Sequence, residues 1–299
     1  MTNIDTSSAV TKAWERQGTW SRAADVAKRR ITRGRRAVAG LTTGAAVAGA
    51  LATQFGETEQ AGRVLAIVAA AALLLVPLAA RSASRDAVQR WTRLRSVSEA
   101  LKADVHRHLA GVAPFDGADR EAVLLRRVDG LLDDAGDLIG VTLDAAPAAR
   151  PLPDISDVPG YLAHRVDRQV EGYYLPMARR MARLATRVRY ATTAVTVAAA
   201  LLAATAGVLG GRPGLTAWVG VAATVTTALV GYGAAQQYEH QQIEYARTAD
   251  QLTRLRLTRE AGHGWTDDAA FVTEAERIIS LSNEAWMAKM IEEDGLRQQ

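Results

Sequence analysis

Uncharged apolar runs alternate with arginine-rich stretches along this chain, and the alternation happens twice. The first run is Ala37 to Thr53; after a short segment, Gln54 to Arg63, a second extends from Val64 to Ala80. The third is Tyr190 to Leu209 and the fourth Leu215 to Ala235, joined by Gly210-Gly211-Arg212-Pro213-Gly214. A helix needs about 20 residues to cross a hydrocarbon core about 30 Å thick, with roughly 17 as a lower bound. The first pair is near that bound and the second clears it. Both tips are long enough only for a turn. The pattern therefore predicts an all-α integral membrane protein with two transmembrane helical hairpins, four spans in all. Ala-rich core helices of a soluble bundle are the alternative, which long uncharged runs flanked by arginine on one side only disfavour.

The flanks fix an orientation. Lys28, Arg29, Arg30, Arg33, Arg35 and Arg36 precede the first run, and Arg81, Arg85, Arg90, Arg93 and Arg95 follow the second. Arg179, Arg180, Arg183, Arg187 and Arg189 precede the third, and Arg247, Arg254, Arg256 and Arg259 follow the fourth. Cationic segments near spans stay on the cytoplasmic side during insertion. The expectation is a multi-pass membrane protein with both termini in the cytoplasm. Glu57 and Glu59 then mark an acidic outer mouth.

Beyond the spans, apolar residues recur at three- and four-residue steps, the period of helices with one buried stripe. Leu94, Val97, Leu101, Val105 and Leu109 form one stripe, and Tyr238, Tyr245, Ala249, Leu252 and Leu255 another. A last helix, about Asp268 to Asp294, presents Phe271, Ala275, Ile278, Ala285, Trp286 and Met290. Leu101, Tyr245, Leu252, Phe271, Ile278 and Trp286 are the expected packing residues of the cytosolic helices. Asp119 to Ile139 also reads as a helix, and Pro176 is expected to start or kink the helix leading into the third span. Sliding the chain by about 151 positions lays the second hairpin on the first, placing Arg29 on Arg180, Arg36 on Arg187 and Leu101 on Leu252. The linker from Ala145 to Pro159 holds Pro147, Pro151, Pro153 and Pro159 and predicts a boundary there. The organisation is then a first divergent two-span repeat (1–112), a cytosolic helix with its linker (113–159) and a second two-span repeat (160–299).

Small and hydroxylated residues are the only candidates for chemistry at depth. Gly40 and Gly44 form a GxxxG that Gly49 extends, and Gly220 and Gly231 mark the fourth span. Such ridges let helix backbones approach closely in lipid, so these are the candidate helix-packing residues. Thr192, Thr193, Thr196, Thr224 and Thr227 are candidate pore-lining residues, although threonine hydroxyls more commonly bond their own helix carbonyls. No charged residue or histidine lies inside a run, which argues against a proton relay or a coupled transporter.

Composition narrows the rest. Net charge is +4, from 36 Lys and Arg against 32 Asp and Glu, and the cations cluster beside apolar runs rather than among aromatics. That points to a membrane surface and away from nucleic acid. There is no cysteine, which excludes disulfides, thiolate metal sites and cysteine nucleophiles. His106 and His108 are two apart and diverge on a helix, so they do not chelate one metal. Asp133, Asp134 and Asp137 lack calcium-loop spacing. No phosphate-binding loop, nucleophile elbow or zinc-protease motif appears. No enzyme activity, cofactor or metal is expected.

At the carboxyl end, Tyr245-Ala246-Arg247-Thr248-Ala249-Asp250-Gln251-Leu252 follows a hairpin. Phe271-Val272-x-x-Ala275-Glu276-Arg277-Ile278-Ile279 and Asn283-Glu284-Ala285-Trp286 come after it. This order resembles the SLATT family, two-TM proteins of bacterial conflict systems, over about Gly160 to Ile291, with the first repeat as a degraded copy. The resemblance implies a membrane effector in antiphage defence or stress response that forms pores when infection is sensed. It also implies a cytosolic activating protein or a nucleotide signal as partner. The two readings carried forward are a homo-oligomeric pore or ion channel, and a membrane-anchored scaffold that recruits cytosolic partners.

Overall fold

The computed structural model describes residues 7–55, 59–145, 150–208, 213–262 and 267–281, and every regular element among them is helical. Eight helices are used here: α1 (Ser7–Phe55), α2 (Gln60–Arg81), α3 (Arg85–Ala110), α4 (Arg120–Asp133), α5 (Val158–Val208), α6 (Pro213–Gln236), α7 (Tyr238–Glu260) and α8 (268–281). Basic stretch and apolar run form single helices in α1, 49 residues long, and α5, 51 residues long. Pro213 opens α6, where its missing N–H would have no helical partner anyway. Gly111, at φ +67°, stops α3 in the left-handed conformation that glycine adopts without strain. Pro176 is the second residue of the α-helical stretch Leu175–Val208 within α5, so it stands where the regular winding into the third run starts. A π-helical turn at Val170–Tyr174 ends just before it and widens the coil where the proline ring would meet an upstream carbonyl.

The chain divides into two compact units that cut across the repeats. One takes Arg29–Ala87 and Arg180–His240, and the other takes the residues up to Lys28, Val88–Arg179 and the residues from Gln241 on.

The first of these is the apolar unit. Three helical stretches, within Gln60–Ala110, Val158–Val208 and Trp218–Glu260, are long and apolar enough to cross a membrane. The run in α1 is not among them, since Gly40, Gly44, Gly49, Thr42, Thr43 and Thr53 dilute its hydropathy. It is instead the more sheltered helix, burying Ala45, Ala48 and Ala50. By contrast α2 exposes Ile67, Leu74 and Leu78, with Leu74 at 80 %, and α5 exposes Val197, Leu201 and Val208, the last at 87 %. Exposed apolar faces of this extent suit lipid tails and not water. The chain is membrane-associated through these helices.

Close backbone crossings occur at positions the small-residue ridges did not mark. A Cβ on Gly34 would lie 2.9 Å from the Ala79 carbonyl oxygen and 2.9 Å from the Ser82 Cβ, so α1 and α2 pinch there. A Cβ on Gly233 would lie 2.9 Å from Val188 Cγ1, pinching α6 against α5. The offset that aligns the repeats puts Ser82 on Gly233, so both hairpins narrow at corresponding points. At Gly40, Gly44, Gly49, Gly220 and Gly231 a Cβ would meet nothing within 4 Å. Within one chain these five glycines are therefore not the crossing points, because helix rotation turns them away from the neighbouring helix.

The polar unit has a core of its own. Tyr161, Val166, Val170 and Tyr174 from α5 meet Ala249, Leu252 and Leu255 from α7 and Phe271, Val272, Ala275, Ile278 and Ile279 from α8. The proline-rich segment is docked within this unit and is not a free spacer: Trp14 Nε1 donates to the Pro151 carbonyl at 3.0 Å, Arg150 stacks on the Trp14 ring, and Ile155 joins the core.

Gly34→Ala should lower stability by about 1–3 kcal/mol, since its Cβ would strike backbone. Gly40→Ala should be neutral or raise stability by up to about 1 kcal/mol through helix propensity. Thermal unfolding of both variants in lipid nanodiscs checks the contrast.

Candidate functional site

The site of greatest chemical interest lies in the polar unit, where α5 begins. Asp157 caps that start, its carboxylate accepting from Gly160 N–H at 2.7 Å. The helix then widens into a π-helical turn, Leu162–Asp167, a departure from regular winding that recurs at functional sites. Tyr161, Arg165 and Val166 are buried together there, and ion pairing of Arg256 Nη1 to Asp167 Oδ1 at 3.1 Å holds the turn to α7.

Arg165 meets Glu276 of α8. Its Nε donates to Glu276 Oε1 at 2.9 Å and its Nη2 to Oε2 at 2.8 Å, a fork-to-carboxylate pairing with fixed orientation. Tyr161 Oη donates to the same Oε1 at 2.9 Å. Arg165 is 1 % exposed and Glu276 3 %. Arg165 Nη1 has no acceptor among the described residues.

Other ionisable groups gather around the pair. Arg95 bridges Glu99 at 2.7 Å on α3. Burial alone would raise the Glu276 carboxyl, but Arg165 overrides it and holds the group down at about 2. Burial, reinforced by Arg165, pushes His106 down to about 3 and Lys102 down to about 8. His106 is thus a neutral ring whose Nδ1 lies 2.7 Å from the Lys102 carbonyl, with Trp14 edge-on to it.

Beside the pair is a cavity of about 350 Å³ between α3, the end of α4, α5 and α8. Val97, Ala100, Leu131, Ala135 and Ile279 supply apolar walls, and Arg165, Glu276 and Glu99 supply charge. Arg93 stands at the same cavity, its guanidinium forked onto Asp137 at 2.6 and 2.8 Å.

The residues expected from sequence fall as follows. Leu101, Leu252, Phe271 and Ile278 are buried in the polar unit, and Tyr245 packs partly buried against Tyr173 and Tyr174. Trp286 and Glu57 lie outside the described residues, and Glu59 is exposed just before α2. Thr193, Thr196 and Thr227 are exposed on their helices, and Thr192 and Thr224 are half-buried. Thr196, Thr224 and Thr227 donate to the carbonyls of Thr192, Gly220 and Ala223 in their own helices at 2.9, 3.0 and 3.0 Å. Sequence reasoning passed over Arg165 and Glu276 as a site. The available signal was that Glu276 shares a helix face with Val272 and Ile279.

Removing one partner of a buried pair leaves an uncompensated charge, so Glu276→Gln or Arg165→Met should cost about 3–5 kcal/mol. The pH dependence has a definite sign. Glu276 titrates lower in the folded state than its usual value, so its contribution is full above about 4.5 and fades as pH falls toward about 2. His106 is also depressed, and the unfolded chain takes up its proton first, so stability declines already below about 6.5. Unfolding midpoints measured from pH 8 to pH 4 should fall on acidification, and less steeply in His106→Phe.

Residues 161–286 match the model of the SMODS and SLOG-associating 2TM effector domain 1. Residues 18–122 match the model of a protein family of unknown function, DUF4231. No curated protein and no solved structure matches the chain. The Arg165–Glu276 pair lies inside the first match and spans nearly its whole length. Residues 161–286 are thus SLATT-like, similar to a two-TM effector domain, and the match over 18–122 is consistent with a divergent first copy.

Proposed function

We propose that this membrane effector acts as a homo-oligomeric pore or ion channel in a bacterial defence or stress response, with four spans per chain. The observation that carries this reading is the open small-residue surface of the apolar unit. A Cβ at Gly40, Gly44, Gly220 or Gly231 meets nothing within 4 Å, although such residues in lipid are suited to helix contact. Other copies of the chain would cover these faces. Around the resulting axis, Thr192, Thr193, Thr196, Thr224 and Thr227 would line a narrow path. Glu57 and Glu59 at an outer mouth would favour cations. The arginine flanks favour an inner-membrane location with both termini in the cytoplasm. There the polar unit would receive an activating protein or a nucleotide signal, and α1 and α5, each a single helix with residues in both units, would transmit it.

A second reading has its own observation. The hydroxyls of Thr196, Thr224 and Thr227 are already bonded within their helices, as expected of threonines that only face lipid. The protein would then be an anchored scaffold that recruits cytosolic partners through the polar unit.

Ion flux from liposomes containing the purified chain separates the two. The pore reading expects leak under an activating condition, reduced at least about tenfold by Thr193→Leu with Thr196→Leu. Flux that never exceeds that of protein-free liposomes, with the chain monomeric by mass in nanodiscs, overturns it. Unchanged cellular activity of the double threonine variant supports the scaffold.

A further inference from the structure

We propose that the cavity beside Arg165 is a ligand site for a small amphipathic monoanion, a compact apolar body bearing a single carboxylate. The site belongs to the polar unit alone, and its occupancy does not depend on whether the protein conducts.

Three independent features converge on it. The first is space: about 350 Å³ is within the range of pockets that hold small molecules, and the walls are mostly aliphatic. The second is an unmet donor. Arg165 lines the cavity and is fully buried, and Nε and Nη2 are committed to Glu276 while Nη1 has no acceptor among the described residues. A buried donor without an acceptor is costly, and a ligand oxygen would satisfy it. The third is the backbone: Arg165 sits in a π-helical turn, a departure from regular winding that recurs at functional sites.

Charge balance selects the ligand class. The guanidinium groups around the cavity are already matched to carboxylates, Arg165 to Glu276, Arg93 to Asp137 and Arg95 to Glu99. Glu99, Asp134 and Glu276 line the cavity against Arg93 and Arg165, so a polyanion would meet more carboxylates than guanidinium groups. One oxyanion head is what a single free guanidinium nitrogen accommodates, while Val97, Ala100, Leu131, Ala135 and Ile279 bury the body. A bare anion such as phosphate would leave these walls unused. An uncharged apolar molecule would leave Nη1 unsatisfied.

The probe is 4-fluorophenylacetate, followed by fluorine NMR on the full chain in nanodiscs, with protein-free nanodiscs measured in parallel to subtract partition into lipid. Saturable binding at micromolar to millimolar concentration is expected. Ala100→Phe and, separately, Ala103→Met fill the cavity without touching Arg165 or Glu276. Whichever of these retains the helical circular dichroism of the parent should bind at least tenfold more weakly. Acetate and inorganic phosphate should not compete. Binding no greater than in protein-free discs, binding unaffected by filling the cavity, or equal competition by phosphate would each overturn the proposal.

Discussion

A guanidinium and a carboxylate shut away from water, Arg165 and Glu276, hold the polar unit in one arrangement. Such a pair adds little net stability compared with apolar residues of similar volume, because both ions lose their hydration. Its effect is geometric. Two parallel hydrogen bonds are satisfied only at one rotation of α8 about its axis and one register against α5. The Tyr161 hydroxyl, one turn before Arg165, narrows the choice further. The partners lie 111 positions apart in sequence, with both apolar helices of the second hairpin between them. Any change in the register of α8 on α5 would therefore act at both ends of the segment that carries that hairpin.

The parts of this architecture that could be read from the sequence are those written in composition over long windows. Four uncharged runs bounded by arginines are visible without knowing any contact. Buried stripes such as Leu94, Leu101 and Val105 follow from a regular 3.6-residue period. The start of α5 escaped the same reasoning for a definite reason. A π-helical turn inserts an extra residue per turn, so Val166, five residues after Tyr161, shares the interior with it alongside Arg165, and an apolar period of three and four does not mark that face. Arg165 sits inside that irregularity, in a chain where arginine is common and ordinarily marks a solvated face. Glu276 was more accessible to reasoning, since it interrupts an apolar helix face that has no cause to carry an unpaired charge.

The glycines illustrate a different limit. Spacing shows that Gly40 and Gly44 share one side of α1, but not which side faces α2. That depends on the rotation of the helix, and the rotation is fixed where chains cross most tightly, at Gly34 within the arginine-rich stretch. The repeat supplies the missing clue in retrospect. Its two copies narrow at Ser82 and Gly233, corresponding positions occupied by small residues, and a comparison of the copies for small residues near the charged flanks would have found them.

The run in α1 combines weak hydropathy with partial burial. A helix wholly surrounded by lipid must be apolar all round, and α2 is. A helix partly covered by its neighbours can carry small residues on the covered side, and in α1 these are alanines, while Gly40 and Gly44 are exposed. Ala45, Ala48 and Ala50 are the small, covered residues that such a position allows. Their replacement by leucine would make α1 a better span in isolation and a worse neighbour in the assembled unit. The helix whose composition is least like a span is therefore the one that the rest of the apolar unit covers most.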